Sequence, residues 1–139
     1  MFVVLALLLS AAVPADNGGP AGDELVQLQG VWQTDLKRGD ETLRIQVENR
    51  GNRQTLRTYR EGQLTHEHIV EFELSRAGGA KVFRWKNGEN TFGPRKGKPM
   101  PDGAFIYRLK DGRWTTISGF LDGEEDQPII SQQFQKIGQ

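Results

Sequence analysis

The chain has 139 residues, carries 18 basic and 18 acidic side chains with no formal net charge, and contains no cysteine. This length suffices for one domain with a hydrophobic core, and the charge balance argues against nucleic acid or an anionic membrane as the main partner. The absence of cysteine excludes disulfides, thiolate metal sites, thiol nucleophiles and a lipid-modified N-terminal cysteine.

Residues 1–15 predict a secretory signal peptide. An apolar run covers residues 2–13, well short of the roughly 20 residues that span a bilayer. Val13, Pro14 and Ala15 suit signal-peptidase cleavage, although no basic residue precedes the run. A buried N-terminal helix or strand is the alternative. We therefore expect a secreted or periplasmic protein without stable membrane insertion, in which residues 16–22 form a polar, flexible leader.

Residues 23–139 are predicted to form one β-rich domain that begins with a short helix. Asp23 is suited to cap a helix that continues through Leu28, and Gly30 ends it. No helical period follows; short alternating runs recur instead, separated by turn residues. The eight predicted strands cover residues 31–37, 42–49, 53–60, 64–75, 81–87, 104–110, 113–121 and 129–137.

Alternation within these strands predicts a sheet with one apolar and one polar face. Leu43, Ile45 and Val47 alternate with polar residues, and the pair Asp111-Gly112 is a strong hairpin signal. Because an open sheet leaves unpaired edges, we predict an all-β, eight-stranded, up-and-down antiparallel barrel.

The connections predict a cup. Alternate turns of an up-and-down barrel fall at the same end, and a barrel of about eight strands can hold one small ligand. Tight turns at the closed end are predicted at residues 50–52, 76–80 and 111–112. The other end, which we call the mouth, collects residues 38–41, 61–63, 88–103 and 122–128.

The stretch Leu28-Gln29-Gly30-Val31-Trp32-Gln33 carries a resemblance to a known family. A short helix followed by Gly-x-Trp resembles the opening of the lipocalin superfamily, and the wider motif is similar to the uncharacterised secreted lipocalin-like domains of planctomycete bacteria. Residues 103–109 resemble the same family, and the resemblance covers about residues 24–137. It implies a barrel floor that includes Gly30 and Trp32, with a basic side chain of the last strand, here Lys136, over the indole.

His66 and His68 are the only two histidines and lie two residues apart in the fourth predicted strand. Side chains at this spacing share a face, and the apolar residues that follow mark it as inward, so Glu67 faces outward. Because the fourth strand begins at the mouth, both imidazoles are expected near the open end. A catalytic zinc site needs a third protein ligand, and none can be assigned. We predict no metal and no cofactor, and a metal-assisted enzyme centred on this pair is an alternative.

The predicted ligand site combines the histidines with inward aromatic side chains. These would bury a small, partly apolar molecule, while His66, His68 and Tyr107 would orient its polar part. Such aromatic residues would contact a ligand only if the barrel contains an open cavity; in a filled barrel they would form the hydrophobic core. The predicted ligand-binding residues are His66, His68, Phe72, Phe83, Trp85, Phe105 and Tyr107.

Two charged loops at the predicted mouth offer a further alternative, a protein-interaction module. Residues 93–101 form the most basic stretch and residues 122–126 an acidic run, and both are typical of solvated loops. The basic stretch lacks the strand–loop–helix context of a nucleotide-binding loop, and no Gly-x-Ser-x-Gly elbow occurs. The sequence as a whole predicts an exported, monomeric, non-enzymatic lipocalin-like domain.

Overall fold

The structure, a computed structural model, describes residues 22–121 and 126–139. The predicted signal peptide, nearly all of the predicted leader and residues 122–125 of the acidic run lie outside the described residues. Within those two ranges, no helix is long and apolar enough to cross a bilayer.

The described residues form one short helix, α1 (Gly22–Leu28), followed by a closed antiparallel sheet. Eight strands follow one another around the barrel in the order β4-β3-β2-β1-β9-β8-β7-β5, and pairing of β4 with β5 closes it. The two-residue strand β6 pairs with the far end of β5. The predicted eight-stranded up-and-down antiparallel barrel with a short N-terminal helix is therefore confirmed. The strands are β1 (Gly30–Arg38), β2 (Glu41–Arg50), β3 (Arg53–Arg60), β4 (Gln63–Ala77), β5 (Ala80–Phe92), β6 (Pro99–Met100), β7 (Gly103–Lys110), β8 (Arg113–Ser118) and β9 (Ile130–Gly138).

Strand β5 continues past its predicted end at residue 87. Asn87 has a φ of 52°, a value that normally ends a strand, and Gly88 follows it. The pairing with β4 shifts register between Ile69 and Glu71. Asn87 and Gly88 therefore form a bulge in β5, and the strand then continues to Phe92. A bulge absorbs extra residues and bends a strand without ending its pairing, which is why the turn-like pair did not terminate β5.

The helix α1 crosses the closed end of the barrel. Leu28 is fully buried, and its carbonyl oxygen accepts hydrogen bonds from Trp32 Nε1 at 2.9 Å and from Asn49 Nδ2 at 3.0 Å. Just after the helix, the side chain of Gln29 donates to the Gly51 carbonyl oxygen at 3.1 Å and accepts from the Gly51 N–H at 2.6 Å. These bonds fix the helix to the turn between β2 and β3.

Glu24 attaches the first turn of α1 to the opposite side of the barrel. Its carboxylate accepts a hydrogen bond from the Tyr107 hydroxyl at 2.7 Å and forms an ion pair with Lys81. The guanidinium of Arg76 lies 3.9 Å from the same carboxylate. Burial acts to raise the pKa of Glu24, but the hydrogen bonds from Lys81 and Tyr107 and the charges of Lys81 and Arg76 together lower it. The helix is thus held at both of its ends.

The hydrophobic core fills the closed half of the barrel. Phe72 stacks on Phe83 at 4.5 Å between ring centroids, and Phe83 stacks in turn on Phe105 at 4.7 Å. Full burial of a large apolar side chain contributes about 1.5–3 kcal/mol relative to its exposure. The buried members of this core are Leu28, Trp32, Val47, Phe72, Phe83, Tyr107, Trp114 and Phe134.

Candidate ligand site at the barrel mouth

The two histidines lie side by side on the inner face of β4, near the mouth. The register places His66 opposite Thr58 of β3, and His68 opposite Leu56 of β3 and Asn90 of β5. His66 Nε2 lies 3.0 Å from His68 Nδ1, and the ring planes meet at 60°. The imidazoles are therefore in direct hydrogen-bond contact within the barrel wall.

Glu67, between the histidines in sequence, belongs to a different surface. Its carboxylate accepts hydrogen bonds from Arg57 Nε at 2.7 Å and from Thr91 Oγ1 at 2.7 Å, and Arg57 also reaches Glu48 at 3.2 Å. The Thr91 and Arg57 hydrogen bonds lower the pKa of Glu67. This carboxylate is engaged on the outer wall and does not share a site with the imidazoles.

His68 is almost fully enclosed, whereas His66 keeps some exposure. Only 9% of the surface of His68 is exposed. Burial and, to a smaller extent, the adjacent His66 lower the pKa of His68 from 6.5 to about 4. His68 is therefore uncharged at neutral pH, because proton uptake would bury a charge.

Asn90 belongs to the candidate site, and the sequence did not indicate it. It is buried, and it anchors the basic loop: its Nδ2 donates to the Lys98 carbonyl oxygen at 2.9 Å, and its own carbonyl oxygen accepts from the Gly97 N–H at 2.7 Å. The bulge in β5 returns Asn90 to the inner face opposite His68. With Thr58, His66 and His68 it completes a polar patch on three adjacent strands.

The predicted aromatic ligand residues fall into two groups that differ in burial. Phe72, Phe83 and Tyr107 are buried in the core of the closed half, and the Tyr107 hydroxyl is engaged by Glu24. Burial, together with Glu24, raises the pKa of Tyr107. Phe105 and Trp85 keep partial exposure. Across the sheet, Trp85 is the partner of Phe72 and Phe105 is the partner of Phe83, so both rings pack against the core.

Trp85 is held in place by its neighbours at the mouth. Its indole N–H donates to the Pro101 carbonyl oxygen at 3.0 Å, and its ring lies against Gly103, its partner across the sheet. A side chain at Gly103 would collide with this ring. The ring is also 5.7 Å from Phe105, centroid to centroid. Because Gly103 has no side chain, the indole ring of Trp85 can lie directly against its backbone.

One row of inward-facing side chains in the mouth half retains contact with solvent. Pairing across β1, β2, β3 and β4 places one continuous row on the inner face: Thr34, Ile45, Thr58 and His66. All four are partly exposed, whereas Phe83, in the closed half, is 0% exposed. These four side chains reach solvent at the mouth, whereas Leu43, His68 and Asn90, which also face inward in the mouth half, are buried. The space that the four exposed side chains border is called the cup below.

Well-formed hollows also occur on the outer wall. A groove of about 410 Å³ follows β5, β7 and β8 and is lined in part by Ile106 and Ile117. Another, of about 450 Å³, lies beside Asp35, Arg44 and Tyr59. Any binding experiment must therefore separate the cup from the outer wall.

The rim of the mouth combines exposed apolar and basic side chains. Phe120 is 58% exposed, and Ile129 is also exposed. In the basic loop, Arg95, Lys96 and Lys98 are exposed and form no ion pair with any described residue.

The predicted floor residues lie together at the closed end. Trp32 is buried and pairs across the sheet with Lys136. Gly30 has a φ of 105°, and a side chain there would collide with the carbonyl oxygen of Gly138. This close approach of β1 and β9 requires glycine.

Comparison with protein-family models, with curated proteins and with solved structures finds no match for this chain. The closed eight-stranded antiparallel barrel is consistent with a lipocalin-like fold. As for metal ligands, residues 22–121 and 126–139 contain no group of three or more His, Cys, Asp or Glu side chains that could hold an ion.

Proposed function

We propose that this chain is an exported, non-enzymatic lipocalin-like domain that binds a small, partly apolar molecule in the mouth half of the barrel. The observation that carries the proposal is the contrast in burial along the inner wall. Phe83 is fully buried, while Trp85, Phe105 and His66 keep partial exposure. Binding sites of this kind join an apolar lining to a few polar groups that fix orientation.

The chemistry of the cup favours a molecule with one apolar and one polar part. Its aromatic side, at Trp85 and Phe105, would cover the apolar part. The polar patch of Thr58, His66, His68 and Asn90 would meet the polar part. One nitrogen of each neutral imidazole is used in their mutual hydrogen bond, so the pair keeps one donor and one acceptor, which suits an uncharged hydroxyl, amide or carbonyl group.

The sequence supports export and a family assignment within the same proposal. The apolar run at residues 2–13 and the small residues after it are typical of a signal peptide. The motif at residues 28–33 resembles that of the secreted lipocalin-like domains of planctomycete bacteria, and we propose membership of that family. N-terminal sequencing of the chain recovered from the exporting cell should give Asp16 as the first residue; a chain that still begins at Met1 would contradict export.

A fluorescent apolar probe and one pair of variants test the ligand site. Anilinonaphthalene sulfonate and an uncharged alkyl alcohol are titrated into the metal-free protein. The Thr58→Phe variant fills the cup, because Thr58 faces inward. The matched control, Thr55→Phe, places the same ring on the outer wall, where Thr55 borders a surface hollow.

We expect saturable binding at one site, weakened roughly tenfold or more by Thr58→Phe, since a filled pocket loses the apolar contact area. Thr55→Phe should bind as the unaltered protein does. Equal loss in both variants, or binding that never saturates, would place the probe on the outer wall and contradict the proposal.

A further inference from the structure

The histidine pair has a geometry that the proposed apolar-ligand site does not require. The chain has only two histidines, and the structure places both on one inner face with their ring nitrogens 3.0 Å apart. His66 keeps partial exposure to the cup, so a small ion can reach the pair from the mouth.

The separation of the nitrogens, which is now that of a hydrogen bond, is closer to the spacing of a right-angled ligand pair than to that of a tetrahedral pair. Metal–imidazole bonds are about 2.0–2.1 Å long, so two nitrogens that ligate one ion at a separation of 3.0 Å subtend an angle of about 91–97°. A tetrahedral ion would instead hold them about 3.4 Å apart. Right angles between neighbouring ligands belong to tetragonal coordination, which Cu²⁺ and Ni²⁺ adopt with nitrogen and oxygen ligands.

Residues with side-chain oxygen atoms are the cross-strand partners of both histidines. Thr58 faces His66 across the sheet, and Asn90 faces His68. The Asn90 Nδ2 atom donates to Lys98, which leaves the Oδ1 atom without a hydrogen-bond donor among the described residues. Neutral oxygen ligands of this kind, together with water, can complete a tetragonal site.

We infer that His66 Nε2 and His68 Nδ1 chelate one tetragonal divalent ion, Cu²⁺ in preference to Ni²⁺ and Zn²⁺, on the inner wall of the cup. On binding, the hydrogen bond between the rings is replaced by two metal–nitrogen bonds. The proton of that bond moves to the other nitrogen of its own ring, so no net proton is released. Neighbouring oxygen atoms and water fill the remaining positions. The site stands independently of the apolar ligand.

The test is a titration of the tag-free, EDTA-washed protein with Cu²⁺, Ni²⁺ and Zn²⁺ in a non-coordinating buffer, without any apolar probe. Equilibrium dialysis gives stoichiometry and affinity, and pulsed electron paramagnetic resonance counts the imidazoles bound to Cu²⁺. We expect one Cu²⁺ per chain with two imidazoles, and affinities in the order Cu²⁺, Ni²⁺, Zn²⁺. Loss of a residue that hydrogen-bonds to a metal ligand weakens metal binding roughly 10- to 100-fold. Loss of a ligand itself, in His66→Gln or His68→Gln, should weaken copper binding by at least as much.

Two controls decide the outcome. Glu67→Gln alters the carboxylate between the histidines, which faces the outer wall, and should bind copper as the unaltered protein does. The double variant His66→Gln/His68→Gln measures copper held by other groups, including the chain's amino terminus. The inference would be overturned if the unaltered protein took up no more copper than the double variant, or if only one imidazole were bound to Cu²⁺. It would also be overturned if Glu67→Gln lost copper binding, or if the protein preferred Zn²⁺. Because His66 is only partly buried, His66→Gln decides the matter even if His68→Gln fails to fold.

Discussion

The ammonium group of Lys136 lies 5.5 Å from the centre of the Trp32 indole ring. The same group donates to the Gln27 carbonyl oxygen at 3.4 Å. Lysine cannot lay a flat head on the indole as arginine would, but its stem can cover the ring while its charge faces the helix. The last strand thus joins the first strand and α1 at the closed end.

Two substitutions separate the roles of this lysine. Lys136→Met keeps an unbranched stem and removes the charge, and should lower the free energy of unfolding by about 0.5–1 kcal/mol, the usual value of a cation–π contact at an exposed site. Lys136→Ala also uncovers the indole and should cost about 1 kcal/mol more. Urea unfolding measures both, with the exposed Lys37→Met as control. Equal costs for Met and Ala would contradict any role for the stem.

Gly30 should be the least replaceable glycine of the closed end. Its φ of 105° is strained for an alanine, and an added methyl group would collide with backbone at Gly138. Gly112 is the matched control, since its φ of 68° is also positive but nothing lies within 4 Å of its added methyl group. We expect Gly30→Ala to lower the free energy of unfolding by at least about 2 kcal/mol more than Gly112→Ala. Similar losses would show that β1 and β9 can separate without cost.

The lowered pKa of Glu24 predicts acid sensitivity of the closed end. Because the carboxylate is stabilised in the folded state, its contribution is complete above the unfolded pKa of 4.5 and is lost as pH falls through the lower folded value. Glu24→Gln should therefore be less stable than the unaltered protein at pH 7, and the gap should narrow below pH 4.5. Chemical unfolding at a series of pH values measures the gap.

Tyr107→Phe serves as the control for that experiment. It removes one donor to Glu24 but leaves Lys81 in place, and a hydrogen bond to a charged group contributes about 1.5–3 kcal/mol. We expect a loss of stability at neutral pH with part of the acid dependence retained. A gap between Glu24→Gln and the unaltered protein that does not change with pH would show that the carboxylate is not charged in the fold.

Much of the barrel could be predicted because its strands alternate regularly. The alternation of Leu43, Ile45 and Val47 sets the inner face of β2, and the cross-strand register carries that face to His66 and His68. Side-chain parity and turn order are local properties, and they determine face and height in an up-and-down barrel.

The depth of the packed floor could not be predicted in the same way. Phe83 and Phe105 have the same parity and are partners across the sheet, yet the first is fully buried and the second is not. Burial depends on how rings from several strands and α1 fill the space together. The bulge at Asn87 likewise hid the inward position of Asn90, because one extra residue inverts every side chain that follows.

His68 should make the metal-free protein less stable as the pH falls below neutrality. The unfolded chain binds a proton near pH 6.5, whereas burial holds the pKa of the folded imidazole at about 4. The contribution of neutral His68 to the free energy of unfolding is therefore complete above the unfolded pKa and is lost progressively as pH falls from 6.5 to 4. The loss is about 2 kcal/mol between pH 7 and pH 5. Urea unfolding in EDTA measures this slope, and the comparison stops at pH 5 so that Glu24 stays ionised. The slope should be absent in His68→Gln and largely kept in Lys37→Met; an unchanged slope in His68→Gln would assign the proton uptake to other groups.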